Sequence, residues 1–298
     1  MNKLSLILLF FCSFNELFGQ SICGKIIDSE SLAEVEYATI TIPNKQFGIV
    51  SDIQGCFNID LNKIEKSDFI YASALGYFPD SILLNSGINT DTLVIKLKRK
   101  NFQLNEVVIH SQKIKSIKLG IDNTPKRIMW NYGLPGLQRA IFIDNKKNNK
   151  NLFISSVGVY IDTIGFSQTP LRIRILSKSE NGLPDKDLLE SNVILRNSIA
   201  GEYNIIDLSE YQIAFPTSGA FVSIEWIEEG EEFYYTKKIV NGNKPPFELK
   251  GYGPTLGIIS SNDNSKYWKK LVGKQWGENS KNSNKIHPMI YINLNEIN

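Results

Sequence analysis

Between residues 20 and 110, apolar and polar positions alternate in short runs with a period of two. No segment there carries the 3.6-residue period of an amphipathic helix. Gly24 to Asp28 is the first run, and Val35 to Ile42 is a second, rich in β-branched residues and closed by Pro43-Asn44. Gly48 to Asp52 leads through Gln54-Gly55 into Cys56-Phe57-Asn58-Ile59. A β run, a turn holding Asp and Gly, and a second run predict a hairpin. Phe69 to Tyr77 predicts another strand, in which Gly76 marks a bend or bulge. Ile82 to Leu84, Thr92 to Leu97 and Val107 to Ile109 complete roughly seven strands, spaced as in an antiparallel sandwich.

The pattern resumes after Ser111 to Lys118, a polar, lysine-bearing stretch that predicts a linker. Strands are predicted over Ala140 to Ile143, Leu152 to Ile161, Leu171 to Leu176, Val193 to Leu195, Tyr203 to Leu208 and Ala220 to Trp226. Phe233 to Tyr235, Thr255 to Ile259 and Met289 to Leu294 follow. In Leu171-Arg-Ile-Arg-Ile-Leu176 the arginines alternate with apolar residues, which predicts one buried and one solvated face. Glu225, between Ile224 and Trp226, predicts the same. Leu208 to Tyr211 predicts one helical turn capped by Ser209. Eight or more strands in about 180 residues predict a jelly-roll-like sandwich. The fold class is therefore all-β. A seven-stranded sandwich over residues 20–110 and a linker over 111–118 precede a larger jelly-roll-like sandwich over 119–298.

Composition sharpens this picture in two places. A chain of 298 residues with 42% hydrophobic and 21% charged residues can bury two cores of ordinary size, and its net charge of +2 gives no reason to expect a nucleic-acid partner. Residues 1–19 read as a secretory signal: Lys3, an apolar core from Leu4 to Phe11, and a cut at Gly19-Gln20. A buried strand or helix is the alternative for this segment. Cys12 makes a poor lipoprotein box, because bulky Phe11 stands where a small residue is wanted. The apolar run is too short to span a bilayer, and no other stretch approaches that length. Cleavage would leave Cys23 and Cys56. They form either a disulfide, closing a loop of 32 intervening residues, or two separate small apolar residues in neighbouring strands. A bridge would contribute about 3–4 kcal/mol in the chain-entropy model.

Candidate chemistry is sparse. The two histidines, His110 and His287, lie in no metal-ligand spacing and read as surface or edge residues. No G-x-S-x-G elbow exists. Gly251 to Gly257 lacks the Lys-Ser/Thr ending of a phosphate loop and reads as a loop entering a strand. Asn262, Asp263 and Asn264 make a weak cation motif. No catalytic, cofactor-binding or metal-ligating residue is predicted. Candidate ligand contacts are aromatic. Between Asn264 and Lys285 six lysines and one Glu surround Tyr267, Trp268 and Trp276, rings that could stack on sugars. Alternatively this segment is a hairpin whose tryptophans pack on the sandwich while its lysines face water. Trp130 and Tyr132 form a second such cluster with the same two readings.

Gly24…Asp28, Tyr37-Ala-Thr-Ile40, Gly48…Ser51-Asp52…Gly55…Phe57 and Ser73…Gly76-Tyr77 occur in an order that resembles the carboxypeptidase-like regulatory domain. Cys56 stands where that pattern usually has a polar residue. The ending Leu104-Asn-Glu-Val-Val-Ile109 is similar to the segment closing this module in envelope proteins of Bacteroidetes. The phrases Gly182-Leu-Pro-Asp185 and Phe221 to Trp226 resemble jelly-roll domains of exported proteins from the same group, some of them adhesion- or carbohydrate-binding-like. The resemblance implies a transthyretin-like fold and none of the catalytic residues of the zinc carboxypeptidases that such modules accompany. The expectation is an exported, non-enzymatic envelope protein, periplasmic or peripheral to the outer membrane, that binds a protein or a surface glycan. The alternatives are an accessory enzyme acting on carbohydrate or peptide through an unrecognised carboxylate pair, and a purely structural envelope protein.

Overall fold

The computed structural model describes residues 21–65, 67–84, 93–100, 115–122, 129–146, 149, 151–239, 246–260, 267–278 and 286–296. Among them are β-strands and four 3-10 turns, and no α-helix, so the all-β expectation holds. The leader over 1–19, Val107 to His110, and Asn262 to Asn264 lie outside the described residues.

The first sandwich is two four-stranded sheets. One runs in the order Cys56–Asp60, Ser21–Asp28, Leu93–Arg99, Tyr77–Phe78. The other runs Phe47–Val50, Thr39–Ile42, Phe69–Ser73, Asp80–Leu83. Ser21–Asp28 pairs parallel with Leu93–Arg99, an exception to the expected antiparallel pattern. Alternate residues of each strand, among them Ile26, Ile40, Ile59, Ile70 and Leu97, meet in one core. Gly24 belongs to it: a Cβ there would stand 2.1 Å from the tip of the Phe57 ring. Gly76 does what its position in the sequence suggests. Its φ of +81° ends the run begun at Phe69, and the chain passes at Tyr77 into the opposite sheet. The predicted single strand is therefore two.

The second sandwich packs a nine-stranded sheet on a seven-stranded one. The larger sheet is built on two 14-residue strands, Leu152–Gly165 and Phe247–Ser260. The smaller is centred on Leu171–Lys178, Ala220–Trp226 and Leu137–Ile143. Their facing sides share a core that includes Val157, Val159, Ile173, Val222 and Trp226.

Five readings change. The hairpin expected over Gly48 to Ile59 does not form: Phe47–Val50 pairs with Thr39–Ile42 in one sheet and Cys56–Asp60 with Ser21–Asp28 in the other, so the turn at Gly55 carries the chain between sheets. Lys115–Gly120 is a strand paired with Ile290–Glu296, so the end of the predicted linker belongs to the larger sheet. Gly251 to Gly257 lies inside a strand rather than at its entrance, with Gly253 at φ +61°. His287 is buried, 2% exposed, opposite Ile259. The turn over Ser209–Tyr211 has Leu208 at its N-cap, and the Asp207 carboxylate, not Ser209, receives the Ser209 N–H at 2.9 Å.

Candidate functional site

The seven-stranded sheet carries its distinctive chemistry on the face turned away from its own core. Strand pairing aligns Arg172, Glu225, Gln138 and Lys270 in one row across four strands. The next row is Arg174, Ser223, Ala140 and Trp268. Beyond it lie Leu176, Phe221 and Phe142. Sequence alternation assigns the charged rows to solvent, and that expectation fails. Arg172 is 3% exposed and Glu225 is fully buried. The first sandwich is what covers them.

Besides a long hydrogen bond of 3.4 Å from Asn192 to Glu36, three contacts among the described residues join the sandwiches. Tyr37 is the principal one. Its backbone is left-handed, at φ +52°, a conformation that costs a bulky residue energy unless its surroundings impose it. The Tyr37 carbonyl accepts a short hydrogen bond from the Arg172 guanidinium. Its hydroxyl donates to Glu229 at 2.6 Å and accepts a short hydrogen bond from Arg196, which itself donates to Glu229 at 2.6 Å. Burial, and then the Glu229 carboxylate, push the Tyr37 phenol well above its ordinary range. A second contact is backbone on backbone: a Cβ on Gly273 would stand 2.4 Å from the Phe47 carbonyl carbon, and its φ is +79°. In the third, a Cβ on Gly76 would stand 3.2 Å from the Glu190 carbonyl oxygen.

Between these contacts the sheets do not close. The outer face of the first sandwich, with Thr39, Tyr71 and Ser73, and the charged face of the second leave a cleft of two lobes, about 540 and 510 Å³. Ala74 to Tyr77, Lys100, Arg172 and Glu190 border both lobes. The Glu34 and Glu36 side is one lobe, and the Arg174, Lys186 and Asp187 side is the other.

The charges around the cleft are held differently. Arg174 grips Asp187 through two hydrogen bonds of 2.9 and 2.5 Å. Burial alone would pull the Arg174 guanidinium down, but the Asp187 charge and hydrogen bonds outweigh it and the net shift is upward. Burial pulls Arg172 down, with Glu225 at 3.2 Å opposing the shift. Lys270 is pulled down by burial first and by Arg174 second. At the rim, Asp28 accepts from the Ser31 and Glu30 backbone N–H groups at 3.0 and 2.9 Å and from Arg99 at 3.2 Å. Those bonds, the backbone ones foremost, hold its carboxyl well below the usual range. Several buried polar atoms around the cleft have no protein partner: Arg172 Nε, Glu190 Oε2, Asn192 Oδ1 and, beneath them, Glu225 Oε1. An orphaned buried polar atom costs about 1–3 kcal/mol, so these atoms call for polar partners that the protein does not itself supply.

The aromatic candidates do not line it. Tyr267 is turned into the sandwich core, 6% exposed. Trp268, 9% exposed, stands edge-on to Phe221 with ring centres 4.9 Å apart. Trp276 packs beside that pair, under the Lys270 ammonium at 5.8 Å. Tyr267–Leu271 and Gly277–Glu278 form the hairpin that was the alternative reading. Tyr132 is half-buried and its carbonyl accepts from Arg139 at 3.1 Å. Trp130 is in a strand opposite Gly257, and its side chain lies outside the described residues. Cys23 and Cys56 are free: Cys23 faces Asn58 and Cys56 faces Lys25, so the thiols are diagonal neighbours rather than directly opposed. Among the described residues no group of His, Cys, Asp and Glu is placed to hold a metal ion, and no helix is long and apolar enough to cross a membrane.

Sequence reasoning passed over Arg172, Tyr37, Lys100, Lys186 and Glu190. The available signal was the opposite charge of Arg172 and Arg174 on one strand and Glu225 on another, a pairing with no purpose on a wet face.

Residues 22–109 match the family model of the CarboxypepD_reg-like domain. The first sandwich is thus a carboxypeptidase-regulatory-like module, as the ordered motifs imply, and that family is non-catalytic. No curated protein matches the chain. Two solved structures, from the Gx and Gt strains of infectious bursal disease virus, are 12% and 11% identical to it, each covering 93% of this chain with a TM-score of 0.24. The alignment spans 61% and 54% of those two chains, less than two thirds of either.

Proposed function

We propose that the protein is an exported, non-catalytic binding module of the cell envelope, in which a regulatory-like sandwich and a jelly-roll-like sandwich of Bacteroidetes type together hold a ligand between them. The cleft supports this reading through one observation: buried polar atoms from both of its lobes are left without partners inside the protein. Its size falls in the usual range for ligand sites, about 300–1,000 Å³. The leader supports export, and the non-catalytic family of the first sandwich supports binding without turnover. The partner is an envelope protein or a surface glycan that offers a small polar group to the cleft.

The competing enzymatic reading would need two carboxylates acting together, and the cleft offers Asp187 and Glu190. Asp187 is committed to Arg174 through two hydrogen bonds, so the two carboxylates are not both free to act on one substrate. The test is titration of the purified protein with fractionated envelope glycans and peptides, with turnover followed in the same samples. Saturable binding that Lys100→Ala weakens, with no product formed, is the expected result. Product formation abolished by Glu190→Gln would replace binding with catalysis.

A further inference from the structure

We infer that the cleft takes a small zwitterion, a ligand with an ammonium at one end and a carboxylate at the other, as in a free amino acid or a short peptide. This rests on the reading of the cleft as a ligand site and specifies its chemistry.

Some of the charges around the cleft are already satisfied within the protein. Arg174 is satisfied by Asp187 at 2.9 and 2.5 Å. Glu34 is held by Lys25 at 3.1 Å, and Arg99 by Asp28 at 3.2 Å. On the wall shared by the lobes, Arg172 uses Nη1 on Glu225 at 3.2 Å and Nη2 on the Tyr37 carbonyl. Its Nε is buried and has no partner. What remains is segregated. The lobe beyond Arg174 ends in Lys186, whose ammonium has no ion pair among the described residues. The opposite lobe ends in Glu36, whose only side-chain bond among the described residues is a long one, 3.4 Å, from the Asn192 amide. The amide oxygen of Asn192 is an unpartnered buried acceptor beside it. Lys100 and Glu190 border both lobes, the first without an ion pair among the described residues and the second with a buried, unpartnered Oε2.

Two unsatisfied cations and two unsatisfied carboxylates sum to no net charge but are not interchangeable in space. Lys100 and Glu190 are common to both lobes, so the ends differ by Lys186 and Glu36: an anionic ligand lying the length of the cleft would bring negative charge to Glu36, and a cationic one positive charge to Lys186. A dipolar ligand lying along the cleft meets both ends at once. Its carboxylate would sit at Lys186 and Arg172 Nε, and its ammonium at Glu36, Glu190 Oε2 and Asn192 Oδ1. Thr39 and Ser73 line the Lys186 lobe, and Tyr77, whose hydroxyl accepts from Arg99 at 2.9 Å, borders both; their hydroxyls suit the amide groups of a peptide.

The test uses the full chain and follows its amide resonances while triglycine is added, beside glycine, N-acetyl-triglycine, triglycine amide and the neutral sugar N,N′,N″-triacetylchitotriose (chitotriose below). The inference predicts that triglycine shifts residues of the cleft walls and that blocking either terminus weakens binding by about tenfold or more. It further predicts that Glu190→Gln reduces the penalty for acetylation while leaving that for amidation, and that Lys186→Ala does the reverse. Lys186 is exposed, so its variant keeps the fold. Tighter binding of triglycine than of glycine identifies a peptide; the opposite order identifies a free amino acid. Equal binding of blocked and free peptides overturns the inference. Chitotriose moving the cleft resonances while triglycine and glycine do not overturns it and leaves the cleft a ligand site. Silence of the cleft toward every probe overturns both.

Discussion

The two faces of the seven-stranded sheet are both buried, yet they are built on opposite principles. The inner face of Leu171–Lys178 presents Leu171, Ile173 and Ile175 to a core of other aliphatic side chains. Such a surface is stabilised by area alone and tolerates any neighbour of the right volume. The outer face of the same strand presents Arg172 and Arg174, and these need partners at fixed positions: Glu225, Asp187 and the Tyr37 carbonyl. An apolar face is indifferent to which module covers it. A charged one specifies its cover, and where the cover fails to satisfy every atom it leaves a place for something else to do so.

This contrast breaks first at Arg172. Arg172→Met leaves the fully buried Glu225 carboxylate with only the longer Arg174 pair, at 3.9 Å, and is expected to cost about 3–5 kcal/mol, whereas Arg172→Met with Glu225→Leu should recover most of that loss. On the inner face Ile173→Ala should cost about 2–5 kcal/mol, and no second polar change should restore it. Chemical denaturation of the four proteins checks both statements.

Tyr37 is the next test. Tyr37→Phe keeps the ring and removes a hydroxyl shared by Glu229 and Arg196, which should cost about 1.5–3 kcal/mol and broaden or split the unfolding transition. Gly273→Ala attacks the backbone contact instead. The added methyl meets Phe47 in a left-handed turn, so a loss of about 1–3 kcal/mol is expected, with a larger radius of gyration by X-ray scattering as the sandwiches part.

The smallest effect belongs to the edge of the cleft, where the buried Asp28 meets the exposed Arg99. Asp28 has a depressed carboxyl in the folded protein, so its contribution is fully present above its unfolded value near about pH 4 and is lost as the pH falls below that. Melting temperatures measured from about pH 6 down to about pH 2 should fall less steeply for Asp28→Asn than for the parent protein. Salt should matter more for the Asp28–Arg99 pair, whose Arg side chain is 63% exposed, than for the buried Arg172–Glu225 pair.

Much of the fold was legible because it is local. The alternation of Thr39 to Ile42 and of Ala220 to Trp226, and the turn chemistry of Gly55 and Gly76, act within a few residues, and the strands and turns fall there, whereas Val35 to Ala38, also read as strand, is the irregular approach that holds the left-handed Tyr37. The shorter strands Met129–Gly133 and Ile286–Pro288 were not legible, since each is defined by its partner rather than by its own pattern. The cleft was hidden for the same reason at longer range. Arg172 meets Tyr37 across 135 positions, and Asn192 meets Glu36 across 156. Alternation announces two faces but cannot say which is wet, so Glu225 read as solvated. Aromatic composition likewise drew attention to Trp268, which packs edge-on against Phe221 instead.

The most direct test of specified docking is a double-mutant cycle between the sandwiches. Tyr37→Phe and Arg196→Gln would be measured singly and together by denaturant unfolding. The short bond between these side chains predicts a coupling of about 1–3 kcal/mol. Effects that add to within about 0.5 kcal/mol would mean that the two sandwiches do not hold each other, and the cleft between them would lose its floor.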